Sequence, residues 1–440
     1  MLSARNRELL GLVPAALLVT GGFAAIFIQA DNRLSTVSLT YGGAFLALCL
    51  GGHIVIRRAL PHADPYLFPL AAVLASIGIV EIYRINPTLA RNQATWLVVG
   101  LALFSATIVV YREGRYLQLE NYRYLIAIAG VVSLVLPRLP VIGGSSHGAY
   151  LAVHIGSISF QPSEFGKIAI VVFLASYLRD NRQVLVMAGR RVLGVTIPPM
   201  KQFGPLLLVW GSAMAMLLVT REIGTSLMFF GAFLALLYVA TGRASFPIVG
   251  LVLFALGGYY LATHVSHIHG RVLAWEHPFD ANLYKQQLGS YQLANGLFAQ
   301  ADGGLLGVGF GQSLVSLIPV ADSDSIYAVI TDEVGLVGAI GMLLAYLLFI
   351  ARGFKIATLA RDSFSKLLAV GLSFIVALQV FVIVGGVTAV IPLTGVTLPF
   401  VAYGGSSVVM NFVLLALLLV ISDRARRPAG GEAAAQRRAG

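Results

Sequence analysis

The sequence predicts an all-α polytopic membrane protein of about twelve transmembrane helices, and three observations predict it. Hydrophobic residues make up 58% of the 440 and charged residues 11%, whereas soluble domains carry about a quarter charged residues. Apolar runs near the roughly 20 residues that cross about 30 Å of hydrocarbon recur along the chain. Basic residues gather in alternate loops between those runs. This composition excludes a water-soluble globular protein, a disordered chain and a disulfide scaffold, and the single cysteine, Cys49, sits inside an apolar run. In a soluble protein the net charge of +11 would suggest nucleic acid. Here loop charge on one face of a membrane accounts for it.

The spans justify themselves in order. Runs at 9–30 and 38–56 come first. The first is too long for a cleavable signal core, and further spans follow it directly. The next runs are 66–84, 93–111 and 124–142, the last preceded by Arg112, Arg115 and Arg123. The span 162–178 opens on Gln161-Pro162-Ser163-Glu164, with proline in the first turn and an acid near the positive end of the helix dipole. Runs 203–220 and 223–241 are divided only by Arg221 and Glu222, and 246–264 follows. After a long loop at 265–325 come 326–351, 367–391 and 404–422. Twenty-two of the 30 basic residues fall on one side of this arrangement and seven on the other. The positive-inside rule therefore puts both termini in the cytoplasm and the long loop outside. Residues 1–60 form an N-terminal segment with two helices, 61–422 a core, and 423–440 a basic tail that reads as disordered.

The long loop holds too many apolar and aromatic residues for a linker, and loops of that length are commonly functional. Tyr291–Gln300 is amphipathic and predicts a helix, with the glycines from Gly303 to Gly311 forming a turn-rich stretch after it. Ionisable residues inside a membrane are costly and mark functional positions by default. Glu164 and Lys167 stand three apart on one helical face, where they can pair. A capped helix start with a snorkelling ion pair explains the same two residues. Glu222, Asp332 and Glu333 lie at the starts of two other spans. Acids at the loop-side ends of three helices point to a single polar cavity open to the outside. His147, His154, His264, His267, His269 and His277 fall on the same side without metal-ligand spacing, apart from the loose group of His264, His267 and His269, which reads as interfacial or solvated histidine.

Three segments carry a family resemblance. Residues 161–167, QPSEFGK, match the helix start of the SEDS proteins, the family of RodA, FtsW and SpoVE. Residues 318–336, IPVADSDSIYAVITDEVGL, resemble a second family stretch, and 391–407, IPLTGVTLPFVAYGGSS, resemble its most specific pattern. Gly224-Thr225 and Gly289-Ser290-Tyr291-Gln292 agree more weakly. The order and spacing hold from about 66 to 422, so the two N-terminal helices lie outside the ten-helix family core. Departures include Glu222 where the family has Asp, Ala402 where it has Ser, and Gly148-Ala149-Tyr150-Leu151-Ala152 without the expected basic residue and Trp. The pattern is similar to actinobacterial members.

The resemblance implies a peptidoglycan glycosyltransferase that polymerises lipid II at the outer membrane surface beside a class B penicillin-binding protein. Such a polymerisation is one inverting displacement, in which a sugar hydroxyl attacks an anomeric carbon and undecaprenyl diphosphate leaves. It needs a carboxylate base at the hydroxyl and positive charge on the departing diphosphate. The family base follows a Trp-x-x-Pro-like segment in the long loop, here Trp275-Glu276-His277-Pro278-Phe279-Asp280. Asp280 is the expected base, one residue before the family register, with Glu276 as its competitor. Arg271 is the expected diphosphate cation, since a guanidinium binds phosphate oxygens in pairs. Lys167, Glu164, Glu222, Gln292, Asp324, Glu333, Ser406 and Ser407 complete the expected substrate contacts. A divalent cation, magnesium or manganese, would suit the diphosphate, although no closed ligand set is present. Two other functions fit the same spans: a lipid II flippase, and a non-catalytic scaffold for the penicillin-binding protein. Transporter sites usually lie near the midplane, whereas these charges gather at one end of the spans. The sequence does not separate elongation from division, although the short tail and the RodA-like pattern favour elongation.

Overall fold

The computed structural model describes residues 3–31, 36–139, 143–146, 149–156, 158–187, 190–192, 195–197, 223–286 and 289–428. The expected span at 203–220, Glu222, His147 and the end of the tail lie outside the described residues. The helices in order are α1 (Ala4–Gly11), α2 (Val13–Asp31), α3 (Thr36–Ala59), α4 (Leu67–Ile85), α5 (Pro87–Tyr111) and α6 (Arg123–Val135). Next come α7 (Pro162–Met187), α8 (Ile223–Thr241), α9 (Ser245–His264), α10 (Ser266–Glu276), α11 (Ala281–Tyr284) and α12 (Tyr291–Gly303). The last three are α13 (Ile326–Leu359), α14 (Ser363–Val387) and α15 (Gly405–Arg426). Among the described residues, nine helices are long and apolar enough to cross a membrane by length and composition. An all-α polytopic membrane protein is the result, with α1 and α2 continuing one another into a single candidate span.

Helix α15 is the centre of the bundle. It packs along α5 and touches α4, α7, α13 and α14, and it is buried along almost its whole length. Phe412 on α15 sits edge-on to Phe104 of α5 and to Phe400, with Phe349 of α13 against Phe400. Tilted and edge-on contacts of this kind suit the ring quadrupoles. On the opposite side from the long loop, buried charges tie the first helices to this core. Arg5 pairs with Glu8 and donates to the Ala63 carbonyl, and Glu8 meets His53 at 2.7 Å. Asp64, with a fully buried side chain, receives both Arg352 and Arg426.

Three features depart from the helical pattern read from the sequence. Helix α6 stops at Val135, well short of the expected 142, because Pro137 cannot continue it. The chain then forms a three-stranded antiparallel sheet of β1 (Gly143–Ser146), β2 (Ala149–Ile155) and β3 (Ile158–Phe160), and β3 leads into α7. A short hairpin of β4 (Arg190–Val192) and β5 (Val195–Ile197) follows α7.

The third feature is a break in α13 at Gly335, which adopts φ +66°. Membrane helices tolerate a break only where the freed backbone groups find partners. The glycine-rich stretch after α12 supplies them. Val308 and Gly309 donate to the Asp332 and Glu333 carbonyls at 2.9 and 3.0 Å, and Leu336 and Val337 donate to the Gly304 and Leu305 carbonyls at 3.0 and 3.1 Å. A Cβ on Gly335 would lie 2.3 Å from the Gly307 nitrogen. The turn-rich glycine stretch is thus a strap hydrogen-bonded into the helix break.

Candidate functional site

Between α14 and α15 the chain runs without regular structure from Thr388 to Gly404. Irregular backbone between two membrane helices survives only when buried in protein or lining a cavity, and this segment is held from every side. Trp275 donates to the Ala389 carbonyl at 2.8 Å and Arg271 to the Leu393 carbonyl at 3.0 Å, both from α10. Gln379 of α14 donates to the Thr397 carbonyl at 2.7 Å, and Gln93 of α5 to the Ala402 carbonyl at 3.2 Å. Tyr346 of α13 donates to the Pro399 carbonyl, and the Tyr403 amide donates to the Asp322 carbonyl at 2.8 Å. The segment also explains a glycine in a neighbouring helix. A Cβ on Gly78 of α4 would sit 2.3 Å from the Val401 carbonyl oxygen, so that helix reaches the segment only without a side chain there.

One polar group forms where α7 meets this segment. Lys167 and Glu164 are both buried, and their Nζ and Oε2 lie 2.8 Å apart. Lys167 also donates to Gln379 Oε1 at 3.0 Å. Since Gln379 donates onward to Thr397, the ammonium is tied through one side chain to the irregular segment. Thr397 and Ser407 hydroxyls meet at 2.9 Å, Asn411 donates to Ser407 at 3.2 Å, and Ser406 accepts the Gln161 amide at 2.8 Å. Ser406 thus fixes the start of α7 against the start of α15, and Ser407 ties the irregular segment to α15 at Thr397. The pairing expected for Glu164 and Lys167 is present, and Gln379 is a partner that the sequence reading missed. A lone amide inside the apolar run 367–391 was the available signal.

A second group forms over Gly395. This glycine has φ +75°, and a Cβ there would meet Asp324 Oδ2 at 3.5 Å and both terminal nitrogens of Arg271 at 3.9 Å. Arg271 and Asp324, far apart in sequence, therefore flank the same turn. Gln292 on α12 donates to the Ser325 hydroxyl at 3.2 Å, next to Asp324. Replacing Gly395 by alanine should cost about 1–2 kcal/mol, since left-handed backbone strains an L-residue, and should set a methyl group in van der Waals contact with the Arg271 and Asp324 tips. Thermal unfolding in detergent measures the first effect, and loss of activity beyond that expected from stability measures the second.

Glu333 goes elsewhere. It is fully buried in a third group, with Arg84 Nε of α4 at 2.6 Å from its Oε1. The acids at the helix ends thus divide among separate groups, two of them joined through the irregular segment and the third on α4 and α13.

Asp280 and Glu276 are both exposed. Asp280 caps α11, its Oδ1 accepting the Asn282 and Leu283 amides at 2.8 and 3.1 Å. Those two amide bonds hold its carboxyl below the usual carboxylate range. The turn that carries it rests on α12: Phe279 stacks on Phe298 with centroids 5.3 Å apart, and Tyr284 exchanges hydrogen bonds with Asn295. Among the described residues no group of three or more His, Cys, Asp or Glu is placed to hold a metal ion.

Comparison with known proteins gives this geometry a context. Residues 66–427 match the model of the FtsW, RodA and SpoVE family, described as cell cycle protein. The peptidoglycan glycosyltransferase RodA of Mycobacterium leprae is 38% identical over 435 residues, covering 96% of this chain and 91% of its own. The stage V sporulation protein E of Bacillus subtilis is 29% identical, covering 82% of this chain and 98% of its own. Among solved structures, the crystal structure of the rod shape determining protein RodA of Thermus thermophilus aligns with a TM-score of 0.59 at 24% identity, covering 83% of this chain and 98% of that one. A structure reported for a peptidoglycan synthase complex that coordinates polymerization and crosslinking aligns with a TM-score of 0.66, also at 24% identity, over 83% of this chain and 99% of that one. Both share the fold.

Proposed function

This chain belongs to the cell cycle protein family of FtsW, RodA and SpoVE, and from that premise we propose that it is a peptidoglycan glycosyltransferase polymerising lipid II on the outer face of the cytoplasmic membrane. The observation that carries the reading is the match to the mycobacterial peptidoglycan glycosyltransferase across 96% of the chain. Both termini lie in the cytoplasm in this proposal, as the basic-residue asymmetry requires. A class B penicillin-binding protein is the proposed partner, supplying the crosslinks that a glycosyltransferase cannot make.

The proposed reaction brings two lipid-linked sugars together at the irregular segment. Asp280 takes the proton from the attacking 4-hydroxyl, and its Oδ2, which makes no bond in the cap, is the receiving oxygen. The hydroxyl oxygen then attacks the anomeric carbon while the bond to undecaprenyl diphosphate breaks, turning an α linkage into a β linkage. Arg271 balances the charge that grows on the leaving diphosphate, with Asp324 orienting its guanidinium. Lys167 holds the irregular segment through Gln379 and offers a second cation, with Glu164, Gln292, Ser406 and Ser407 shaping the surroundings. Glu222 is proposed as a further contact on the strength of its motif alone.

The experiment is polymerisation of labelled lipid II by the purified chain with its penicillin-binding protein. Glycan strands that depend on Asp280 support the proposal; head-group translocation without polymer would support a flippase. The pH profile adds a second test. A carboxyl whose pKa is depressed stays ionised above it and is lost as a base only when pH falls below about 3.9. Activity should therefore show no acid limb between about pH 5 and 7, and a limb near pH 6 would assign the base to another group.

A further inference from the structure

The first sixty residues and the strap after α12 have no part in the reaction described so far, yet they meet at one place. Arg84 on α4 pairs with Glu333 Oε1 at 2.6 Å and donates through its Nη2 to the Ser313 carbonyl at 2.6 Å. Glu81, one helical turn earlier, is buried with its carboxyl against that of Glu333. Arg84 is the cation that faces both carboxyls. The strap is thus held twice: by backbone hydrogen bonds from 304–309 into the break at Gly335, and by Arg84 at Ser313.

The N-terminal helices stand directly behind this point. Gln29, at the end of α2, donates to the Gly311 carbonyl at 3.0 Å, and a Cβ on Gly311 would meet Gln29 Oε1 at 1.7 Å. Phe23 and Phe27 of α2 and Tyr41 of α3 pack around Tyr83, the residue next to Arg84. On the other side, the strap continues back into α12. That helix carries Phe298 and Asn295 beneath the turn that bears Asp280, and its Gln300 donates to the Val387 carbonyl at 3.0 Å where the irregular segment begins.

We propose that Arg84, Glu81 and Glu333 are positioning residues: they lock the strap into the break of α13 and so set α12, on which the Asp280 turn rests, and the N-terminal helices α2 and α3 brace that lock. This assigns a role to the segment before the family core. It rests on the proposed function only where it speaks of rate, because the lock itself is a set of contacts within the folded chain.

The test uses the full chain in proteoliposomes with its penicillin-binding protein, comparing Arg84→Met, Arg84→Lys, Glu333→Gln, Gln29→Leu and the reciprocal double variant Arg84→Glu/Glu333→Arg. Amide hydrogen exchange is read at Val308, Gly309, Leu336 and Val337, and polymerisation is read as separate kcat and KM for lipid II. In Arg84→Met those four amides should exchange at least about tenfold faster, since their protection reports local opening. Its kcat should fall by about 10²-fold with KM little changed, as misplacement by an ångström far from the chemistry can do. Arg84→Lys and the double variant should recover protection and rate together. Gln29→Leu should loosen the strap selectively around Gly311. Unchanged exchange in Arg84→Met overturns the lock, and faster exchange with wild-type kcat overturns its positioning role. If the wild-type chain makes no polymer, the proposed function fails while the exchange data still decide the lock. If Arg84→Met fails to fold, failure of the double variant to restore protection overturns the proposal.

Discussion

Asp280→Asn should abolish lipid II polymerisation, by about 10²–10⁴-fold, the range that a general base contributes, while leaving the fold and lipid II binding intact. Asparagine is the informative replacement because of what the aspartate does structurally. Its Oδ1 caps α11 by accepting the Asn282 and Leu283 amides, and an asparagine oxygen caps a helix about as well. Alanine would remove the cap as well as the base, at about 0.5–2 kcal/mol, and would blur the two roles. Glu276→Gln, by contrast, should keep near wild-type activity, since Glu276 is exposed at the end of α10 and four residues from the cap. Measuring strands from labelled lipid II with both variants separates the candidates. An active Asp280→Asn beside an inactive Glu276→Gln would move the base to Glu276. Two active variants would remove the loop carboxylate from the mechanism.

The bundle was readable from the sequence because membrane helices announce themselves by length and apolarity, and the bounds of α4, α8, α9 and the start of α13 follow the apolar runs closely. The pairing of Glu164 with Lys167 was readable for the same reason: three residues apart on a helix fixes neighbours. Contacts that depend on tertiary approach were not. Arg271 and Asp324 flank one turn of the irregular segment at Gly395, and no local spacing encodes that. Likewise the strap is glycine-rich for close approach to α13, which in sequence looks the same as glycine for flexibility. Glu81 was a signal left unread: a carboxylate inside the run 66–84 is costly in a membrane, and Arg84, one helical turn on, is the cation that faces it.

Lys167→Met should destabilise the protein by about 3–5 kcal/mol, the cost of leaving one partner of a buried ion pair without the other. Glu164 is buried and has Lys167 Nζ 2.8 Å away as its ion-pair partner, so removing the ammonium strands a carboxylate among apolar helices. The double variant Glu164→Leu/Lys167→Met removes both charges and should recover most of that stability, because well-packed apolar residues often replace a buried pair at little cost. Activity should not recover with it. The double variant still lacks the bond from Lys167 to Gln379 that steadies the irregular segment at Thr397, and it lacks the second cation proposed for the leaving diphosphate. Thermal unfolding in detergent and polymerisation of labelled lipid II, run on the two single variants and the double, read the two effects separately. A stable but inactive double variant places the pair in function. A stable and active one reduces it to the solvation of a helix start, and the cationic role then falls to Arg271 alone.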